Sequence, residues 1–145
     1  MSMVPMSVPP GVVTVDGPEL HADLRALVDA GNFAAVSTLL PGGQPQTQVT
    51  WVDVDTEHLL INTLPFTQKF RNARRDGRVT VLVWDQHDAE QYVEVRGRVV
   101  DIVTGGAAVE HAEQLARRYL GGPYLGPRQR VVLRIQPLRQ VIRHR

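Results

Sequence analysis

The segment of residues 67–75, TQKFRNARR, has the composition and spacing of an anion-binding helix start. A helix beginning at Thr67 would expose unpaired backbone N–H groups and the positive end of its dipole. The Thr67 hydroxyl would add a donor, and Lys69 would add a compact, mobile positive charge. A solvated basic helix face without a ligand explains the same residues. The segment alone therefore leaves a phosphate site and a solvated face equally open.

The absence of cysteine and the scarcity of serine exclude several classes of protein. Without cysteine the chain has no disulfides, thiolate zinc sites, iron–sulfur clusters or cysteine nucleophiles. Serine occurs only at positions 2, 7 and 37, and Ser37 lies in an apolar run without the glycine-flanked motif of a nucleophile elbow. A serine hydrolase is therefore excluded.

The histidines and carboxylates predict neither a metal site nor a catalytic residue. The five histidines are scattered, and no two are spaced as neighbours on one helix face. His87 lies among acidic residues between two strong strand patterns, where a solvated turn is expected. Asp53, Asp55 and Glu57 are likewise predicted to form a hairpin turn rather than an acid–base pair.

Charge and hydropathy argue against a nucleic acid or a membrane as partner. The 16 basic and 15 acidic residues give a net charge of +1, which is too small for binding driven by bulk charge. A local basic patch on nucleic acid stays a minor alternative, because no aromatic ladder accompanies the arginines. No apolar stretch is long enough to span a bilayer, and the first residues lack the basic and apolar regions of a secretory signal. We expect a cytoplasmic protein.

Length and composition predict one globular domain preceded by an arm. The chain has 145 residues, of which 43% are hydrophobic and 21% charged, as in ordinary single domains. Residues 1–17 contain three prolines and are predicted to form a flexible, extended arm. Residues 18–145 are predicted to form the single domain.

Apolar periodicity predicts mainly strands, with three helices around them. Helices are predicted over residues 18–30, over 67–75, and from a cap at Thr104 to Tyr119. Strands are predicted over residues 32–40, 44–54, 58–64, 78–84, 91–103, 130–135 and 140–142. The first three strands would form a meander, and Gly97 would introduce a bulge or bend. Because strands and helices do not alternate regularly, we predict an antiparallel barrel with helices packed outside.

The segment from Asn62 to Val79, NTLPFTQKFRNARRDGRV, resembles the cofactor-phosphate motif of the pyridoxamine-phosphate-oxidase-like split barrels. In that motif a strand ending in Asn or Thr leads to a small hydroxyl residue, a variable residue, a lysine and an RN-x-x-R-D-x-R-V tail. Weaker similarity extends over most of the chain, in the family's order, at residues 34–39, 43–45, 95–99 and 130–132. The resemblance implies a homodimeric, FMN-binding type of split barrel that is mainly β with peripheral helices.

Within this superfamily the chain is most similar to the actinobacterial branch that uses the deazaflavin coenzyme F-420 rather than FMN. FMN-type motifs commonly carry arginine immediately before the lysine, where this chain has Gln68. The resemblance therefore implies coenzyme F-420, with FMN as the alternative. It also implies an oxidoreductase that transfers a hydride between the reduced coenzyme and a conjugated or heteroaromatic small molecule. A protein that binds a flavin or deazaflavin without turnover would carry the same motif.

The resemblance assigns ten residues to the cofactor: Gln48, Val49, Thr50, Thr63, Thr67, Gln68, Lys69, Asn72, Gln91 and Tyr92. The motif residues Thr67, Lys69 and Asn72 would hold the phosphate side, and the backbone of residues 48–50 would lie along the ring. Thr63 would sit beneath the ring, and residues 91–92 of the partner subunit would cover it. Lys69 is the only lysine among the 16 basic residues, and this exception in an arginine-rich chain favours a phosphate ligand over a solvated face.

Overall fold

The computed structural model describes residues 11–144, which fold into eight strands and three helices. The strands are β1 (Val12–Asp16), β2 (Ala34–Leu39), β3 (Pro45–Thr50), β4 (Asp53–Val54), β5 (Leu59–Thr63), β6 (Arg78–Asp85), β7 (Asp88–Thr104) and β8 (Val131–Arg143). The helices are α1 (Ala22–Asp29), α2 (Gln68–Arg75) and α3 (Gly106–Leu120). Within residues 11–144, no helix has both the length and the apolarity to cross a membrane.

The strands form one antiparallel sheet that curls into an open half-barrel. Its order is β3-β2-β6-β7-β8-β5-β4, and β1 also pairs with β8. Only Trp51 and Val52 separate β3 from β4, so the Cα atoms of Thr50 and Asp53 are at most about 11 Å apart. In a flat sheet, six strand spacings would separate these strands by roughly 29 Å. The short connection therefore requires the curl, and the prediction of a mainly β, barrel-type fold with peripheral helices is confirmed.

The core fills the concave side of the curled sheet. Val79, Val81 and Val83 alternate with more exposed residues along β6 and point into the core, as expected for a strand with one buried face. Helix α1 covers the core with the fully buried side chains of Leu24 and Val28. Burial of these apolar surfaces is the main source of stability.

Helix α3 packs on the other face of the sheet, against β5 and β8. Leu60, Ala108 and Val132 form a second, smaller apolar cluster there. Strand β5 is consequently covered on both faces, and all five of its residues are buried. This double burial explains why Leu59, Leu60 and Ile61 follow one another without alternation between apolar and polar residues.

Two predictions about strand connectivity are wrong. Residues 12–16 belong to β1 and pair with β8, so this part of the predicted flexible arm is a strand; residues 1–10 lie outside the described part of the chain. The predicted strand 44–54 breaks at residues 51–52, and the predicted meander is absent because β3 and β4 lie at opposite ends of the strand order.

Two further predictions fail at the carboxyl-terminal half of the chain. The predicted strands 130–135 and 140–142 are one strand, β8, which continues through Pro137 because a register shift opposite β7 accommodates this residue. Helix α3 is capped by Gly105 without a side-chain hydrogen bond, and not by Thr104. The bulge predicted at Gly97 is confirmed, since the register of β7 against β8 shifts between Arg96 and Gly97.

The bulge at Gly97 leaves no room for a side chain. A Cβ atom there would lie 2.6 Å from the carbonyl oxygen of Gln136 and 2.9 Å from Cγ2 of Ile135. We predict that Gly97→Ala lowers the free energy of unfolding by about 1–3 kcal/mol, the usual cost of overpacking, as measured by urea denaturation. Gly106→Ala is the matched control, because nothing lies within 4 Å of a Cβ at that helix start. A Gly97→Ala protein as stable as the Gly106→Ala protein would contradict the bulge geometry.

Candidate functional site

The start of α2 is held by Thr67, directly after the end of β5. The Thr67 hydroxyl accepts a hydrogen bond from the Phe70 N–H at 3.2 Å and donates one to the Leu64 carbonyl at 3.1 Å. The predicted N-cap is therefore confirmed. The N–H groups of Gln68 and Lys69, in the first turn, have no acceptor within the helix, because an α-helix leaves its first N–H groups unpaired. They are available to an anion at this helix end.

Lys69 is a largely buried residue whose charge has no counterion within residues 11–144. The residue is only 8% exposed, and its ammonium, which keeps some contact with solvent, has no hydrogen-bond or ion-pair partner among these residues. Burial, followed by the positive charge of Arg130, lowers the pKa of Lys69. Both effects disfavour the charged ammonium, and a bound anion would reverse them. The environment of Lys69 thus favours a negatively charged ligand.

Arg130 is a second cation close to Lys69. Arg130 precedes Val131, which pairs with Thr63 at the end of β5. Its Nε donates to Oδ1 of Asn62 at 2.7 Å, and its Nη1 donates to the Tyr124 hydroxyl at 3.1 Å. The guanidinium also lies 5.3 Å from the centroid of the Tyr124 ring. All these partners are neutral, and no carboxylate within residues 11–144 pairs with Arg130.

A cleft of about 340 Å³ opens beside Arg130. It is lined by Phe33, Val49, Thr50, Trp51, Asn62, Tyr124 and Arg130. The lining joins the end of β3 to the end of β5, two strands that the curled sheet brings together. Aromatic walls with a few polar groups at one end suit a planar ring that carries an anionic substituent.

The aromatic wall of the cleft is fixed by α3. Tyr119 stacks between Trp51, at 5.3 Å between ring centroids, and Phe33, at 5.5 Å. Its hydroxyl accepts from the Val52 N–H at 3.2 Å and lies 2.8 Å from the Asn32 carbonyl oxygen, to which it donates. Burial raises the pKa of Tyr119, so the hydroxyl stays protonated as a donor. Helix α3 thereby holds both the linker between β3 and β4 and the rings that line the cleft.

Two of the sequence-predicted strand residues line the cleft, and Thr63 lies beneath the start of α2. Val49 and Thr50 are in the lining, whereas Gln48 is exposed and is not part of it. Thr63 is buried, and its hydroxyl lies 3.3 Å from that of Thr67. Val49 and Thr50 therefore share a cleft with Arg130, whereas Thr63 contacts Thr67 at the helix start that carries Lys69.

The side chain of Asn72 is engaged in hydrogen bonds within the protein. Its side chain is fully buried, and its Nδ2 donates to Oγ1 of Thr38 and to Oε1 of Gln46, both at 3.1 Å. Its Oδ1 accepts from Gln68 at 2.7 Å and from Arg75 at 3.3 Å. Since an amide has two hydrogens and two lone pairs, no group of Asn72 remains for a phosphate. Without a ligand Asn72 ties α2 to the sheet, and a phosphate contact would have to replace one of these hydrogen bonds; the contact stays a prediction.

The side chain of Gln68 is also engaged within the helix. Its Nε2 donates to Asn72, and its Oε1 accepts from Nη2 of Arg71 at 2.8 Å. One amide hydrogen of Gln68 is left over, but the position carries no charge. The local positive charge is therefore supplied by Lys69 and Arg130.

Gln91 and Tyr92 lie at a different cleft of the same chain. This second cleft, of about 410 Å³, is lined by residues of α1, β6, β7 and β8. The register Thr50–Ala34–Val83–Val93 places the two regions three strand spacings apart, on the order of 14 Å along the sheet. Within one subunit these residues do not reach the ring position at Val49 and Thr50. Their contribution from a partner subunit stays a prediction.

Arg130, Tyr124 and Trp51 were not among the predicted site residues. Arg130 reaches the site only through the pairing of β8 with β5, a contact between distant parts of the chain that no local pattern reveals. Tyr124 lies in a loop rich in glycine and proline, and its approach to Arg130 depends on the same pairing. Trp51 could have been found from the mixed polarity of residues 44–54, which is unusual for a half-buried strand. Within residues 11–144, no three His, Asp or Glu side chains are grouped so that they could hold a metal ion.

Comparison with solved structures shows the same fold in several proteins. An F420 reductase is 29% identical to this chain. The match covers 80% of this chain and 94% of the reductase, with a TM-score of 0.71. A conserved hypothetical protein of Mycobacterium tuberculosis, Rv2991, is 25% identical to this chain. The match covers 97% of this chain and 91% of Rv2991, with a TM-score of 0.74. The heme storage protein HutZ of Vibrio cholerae is 12% identical, and the match covers 86% of this chain and 95% of HutZ with a TM-score of 0.62. At this identity the likeness shows the fold alone.

A search of curated proteins finds no match to the sequence. A comparison with protein families matches residues 20–142 to the family described as pyridoxamine 5'-phosphate oxidase. The match includes every strand from β2 to β7, all three helices and most of β8. The chain therefore belongs to the pyridoxamine 5'-phosphate oxidase family.

Proposed function

We propose that the protein is an oxidoreductase that binds coenzyme F-420 in the cleft beside Arg130 and transfers a hydride between it and a conjugated or heteroaromatic small molecule. The observation that carries this proposal is the unpartnered ammonium at the end of the largely buried Lys69, close to a second cation. The likeness to an F420 reductase at 29% identity supports the choice of a deazaflavin.

The phosphate end of the cofactor is assigned to the start of α2. Lys69 supplies a compact charge, Arg130 supplies a guanidinium edge, and the N–H groups of the first helical turn supply neutral donors. Because the site is partly buried, less water competes there, and each of these interactions with an anion is stronger than it would be at the open surface. A phosphate placed there would relieve the repulsion between the two cations.

The ring end of the cofactor is assigned to the aromatic cleft. Val49 and Thr50, with the aromatic residues Trp51 and Phe33, line this part of the cleft. A bound deazaflavin supplies the hydride chemistry itself. The protein's own residues bind the ring, orient it toward the substrate and exclude water. No acid or base from the chain is required for this transfer.

FMN is the alternative cofactor, and the local charge favours F-420 over it. The position before the lysine, arginine in FMN-type motifs, is the neutral Gln68, whose carbonyl is occupied by Arg71. The discriminating experiment is a titration of the purified protein with F-420 and with FMN. Tighter binding of F-420 supports the proposal, and tighter binding of FMN replaces it by an FMN-dependent enzyme of the same fold.

Turnover separates the enzyme from a protein that only binds the cofactor. In stopped-flow experiments, reduced F-420 bound to the protein is mixed with quinones, nitroaromatics and tetrapyrroles. Oxidation faster than that of free reduced F-420 is expected for at least one acceptor. If every acceptor reacts no faster than with the free coenzyme, although F-420 binds tightly, the protein is a non-catalytic deazaflavin-binding protein.

We further propose that the functional unit is a homodimer in which each cofactor contacts both subunits. Val49 is 66% exposed, Phe66 59% and Leu125 89%, and all three are in or beside segments that form the cleft. A second copy related by a twofold axis would cover this apolar surface with one self-complementary patch. It would also bring residues 91–92 of the partner to the open side of the ring, where one chain does not place them.

The Lys69 ammonium gives the most direct test by substitution. We predict that Lys69→Ala weakens binding of F-420 by about 1.5–3 kcal/mol, the usual range for a hydrogen bond to a charged group. Lys69→Arg should recover only part of this loss, because a planar guanidinium does not fit where a compact ammonium does. Binding is measured by calorimetry, with the fold checked by circular dichroism.

Arg74→Ala is the matched control for the Lys69 variants. It removes one positive charge from the same helix, but Arg74 is exposed and only stacks on Phe70. Screening by solvent and salt should keep its effect within about twofold in the dissociation constant. If Lys69→Ala binds F-420 and FMN as tightly as Arg74→Ala does, the phosphate assignment is wrong.

The shared-site dimer predicts complementation between subunits. Lys69→Ala and Tyr92→Ala should each reduce binding when they are homodimers, because every site then lacks one residue. A mixture that forms heterodimers contains one site with both defects and one intact site, so tight binding should reappear at up to one site per heterodimer. Sedimentation should show a dimer at micromolar concentration. A stable monomer, or no recovery in verified heterodimers, would contradict the shared site.

A further inference from the structure

We propose that Asp53, His111 and Asn62 form a hydrogen-bonded chain that positions the guanidinium of Arg130 at the cleft. None of the three belongs to the residues that the motif assigns to the cofactor. The chain starts in β4, passes through α3 and ends at β5, directly beside Arg130. The identity of the anion that Arg130 meets rests on the proposed function, but the positioning itself does not.

The amide of Asn62 has only one orientation that satisfies its neighbours. Its Nδ2 donates to the Ala108 carbonyl at 2.9 Å and lies 3.0 Å from Nδ1 of His111, while its Oδ1 accepts from Nε of Arg130 at 2.7 Å. Exchanging the amide oxygen and nitrogen would place oxygen against the Ala108 carbonyl and N–H against the Arg130 N–H. Because Asn62 is buried, such unsatisfied groups would be costly.

His111 is held in one tautomer by its two neighbours. Since both hydrogens of Nδ2 are on Asn62, Nδ1 of His111 must accept, and the ring proton must reside on Nε2. Nε2 lies 2.9 Å from Oδ2 of Asp53 and donates to it, and Oδ1 of Asp53 accepts from Nη1 of Arg118 at 3.1 Å. Every donor along the chain therefore has an acceptor.

Asp53 stays ionised at the far end of the chain. Burial raises its pKa, but the hydrogen bonds from His111 and from the Val54 N–H, together with the charge of Arg118, outweigh burial, so that the pKa of Asp53 is lowered overall. An ionised carboxylate accepts from Nε2–H and fixes the ring of His111, as carboxylates do for metal-bound histidines. The orientation of the ring in turn fixes Asn62.

These hydrogen bonds orient the guanidinium of Arg130 before any ligand binds. Nε is held by Asn62 and Nη1 by Tyr124, so the Nη2 edge remains for an anion in the cleft. A long side chain that is already ordered loses less conformational entropy on binding. Asn62 and His111 are thus positioning residues that act through Arg130, and their removal should weaken anion binding without removing a charge from the site.

A purely structural role, in which the chain only anchors α3 to the sheet, is the competing explanation. NMR of the ligand-free protein distinguishes the two. We expect His111 in the neutral Nε2–H tautomer and a side-chain Nε–H signal of Arg130 that exchanges slowly with water. His111→Phe keeps the ring volume but removes both nitrogens, and it should make that signal exchange fast. Gln114→Ala, at an exposed position of the same helix, is the control and should leave it slow.

A double-mutant cycle with FMN and F-420 as probes gives the second test. Arg130→Ala should weaken binding roughly 10- to 100-fold, as expected for loss of a charged hydrogen bond. His111→Phe should lose part of this affinity, and the double variant should bind no more weakly than Arg130→Ala alone, because His111 acts only through Arg130. Additive losses in the cycle, or a slowly exchanging Arg130 signal in His111→Phe, would overturn the proposal.

Arg130→Lys keeps the test decisive if His111→Phe does not fold. Lysine retains the charge but cannot bridge Asn62, Tyr124 and the cleft at once, so its affinity should be close to that of Arg130→Ala. Affinity equal to that of the parent would show that charge alone suffices. If the parent binds neither FMN nor F-420, the proposed function fails, while the exchange of the Arg130 Nε–H still decides whether the chain positions this residue.

Discussion

Burying part of a cationic side chain costs free energy unless an anion or a hydrogen-bond acceptor compensates for the water that is lost. The ammonium of the largely buried Lys69 keeps only some contact with solvent and has neither kind of partner within residues 11–144. Nearby Arg130 adds repulsion instead of relief. Two cations without a counterion lie this close only because packing in the rest of the fold supplies the stability that offsets their repulsion. The free energy that a bound anion would recover is the physical basis for the cofactor site that we propose at the start of α2.

The pairing of β5 with β8 brings the two cations together. Lys69 is carried by α2, which follows β5, and Arg130 precedes β8, which pairs with β5. The short connection between β3 and β4 curls the open sheet, so that the end of β3 lines the same cleft as Arg130. Helix α3 then fixes the connection through Tyr119 and fixes Arg130 through His111 and Asn62. One helix thereby orders both the aromatic side and the cationic end of the cleft.

Features encoded by neighbouring residues were predictable from the sequence. The cap at Thr67 and the bulge at Gly97 depend on local chemistry, and both are present. The pairing of β1 with β8 joins the two ends of the chain, and the contact of Arg130 with Asn62 depends on the register of β8. No local pattern carries such information, because it arises only when the whole sheet has formed. Motif matching also assigned a phosphate contact to Asn72, whose amide the structure shows to be fully used inside the protein.

The pKa of Lys69, measured without and with a bound cofactor, tests most directly whether the ammonium lacks an anion in the ligand-free protein. Lys69 is the only lysine, so protein labelled with ¹³C-lysine gives a single Cε resonance whose shift with pH reports one pKa. In the ligand-free protein this pKa should lie below the ordinary lysine value, because burial and Arg130 disfavour the charge. Saturation with F-420 should raise the pKa, because the bound phosphate favours the ammonium. A pKa at the ordinary value that neither F-420 nor FMN shifts would contradict the account.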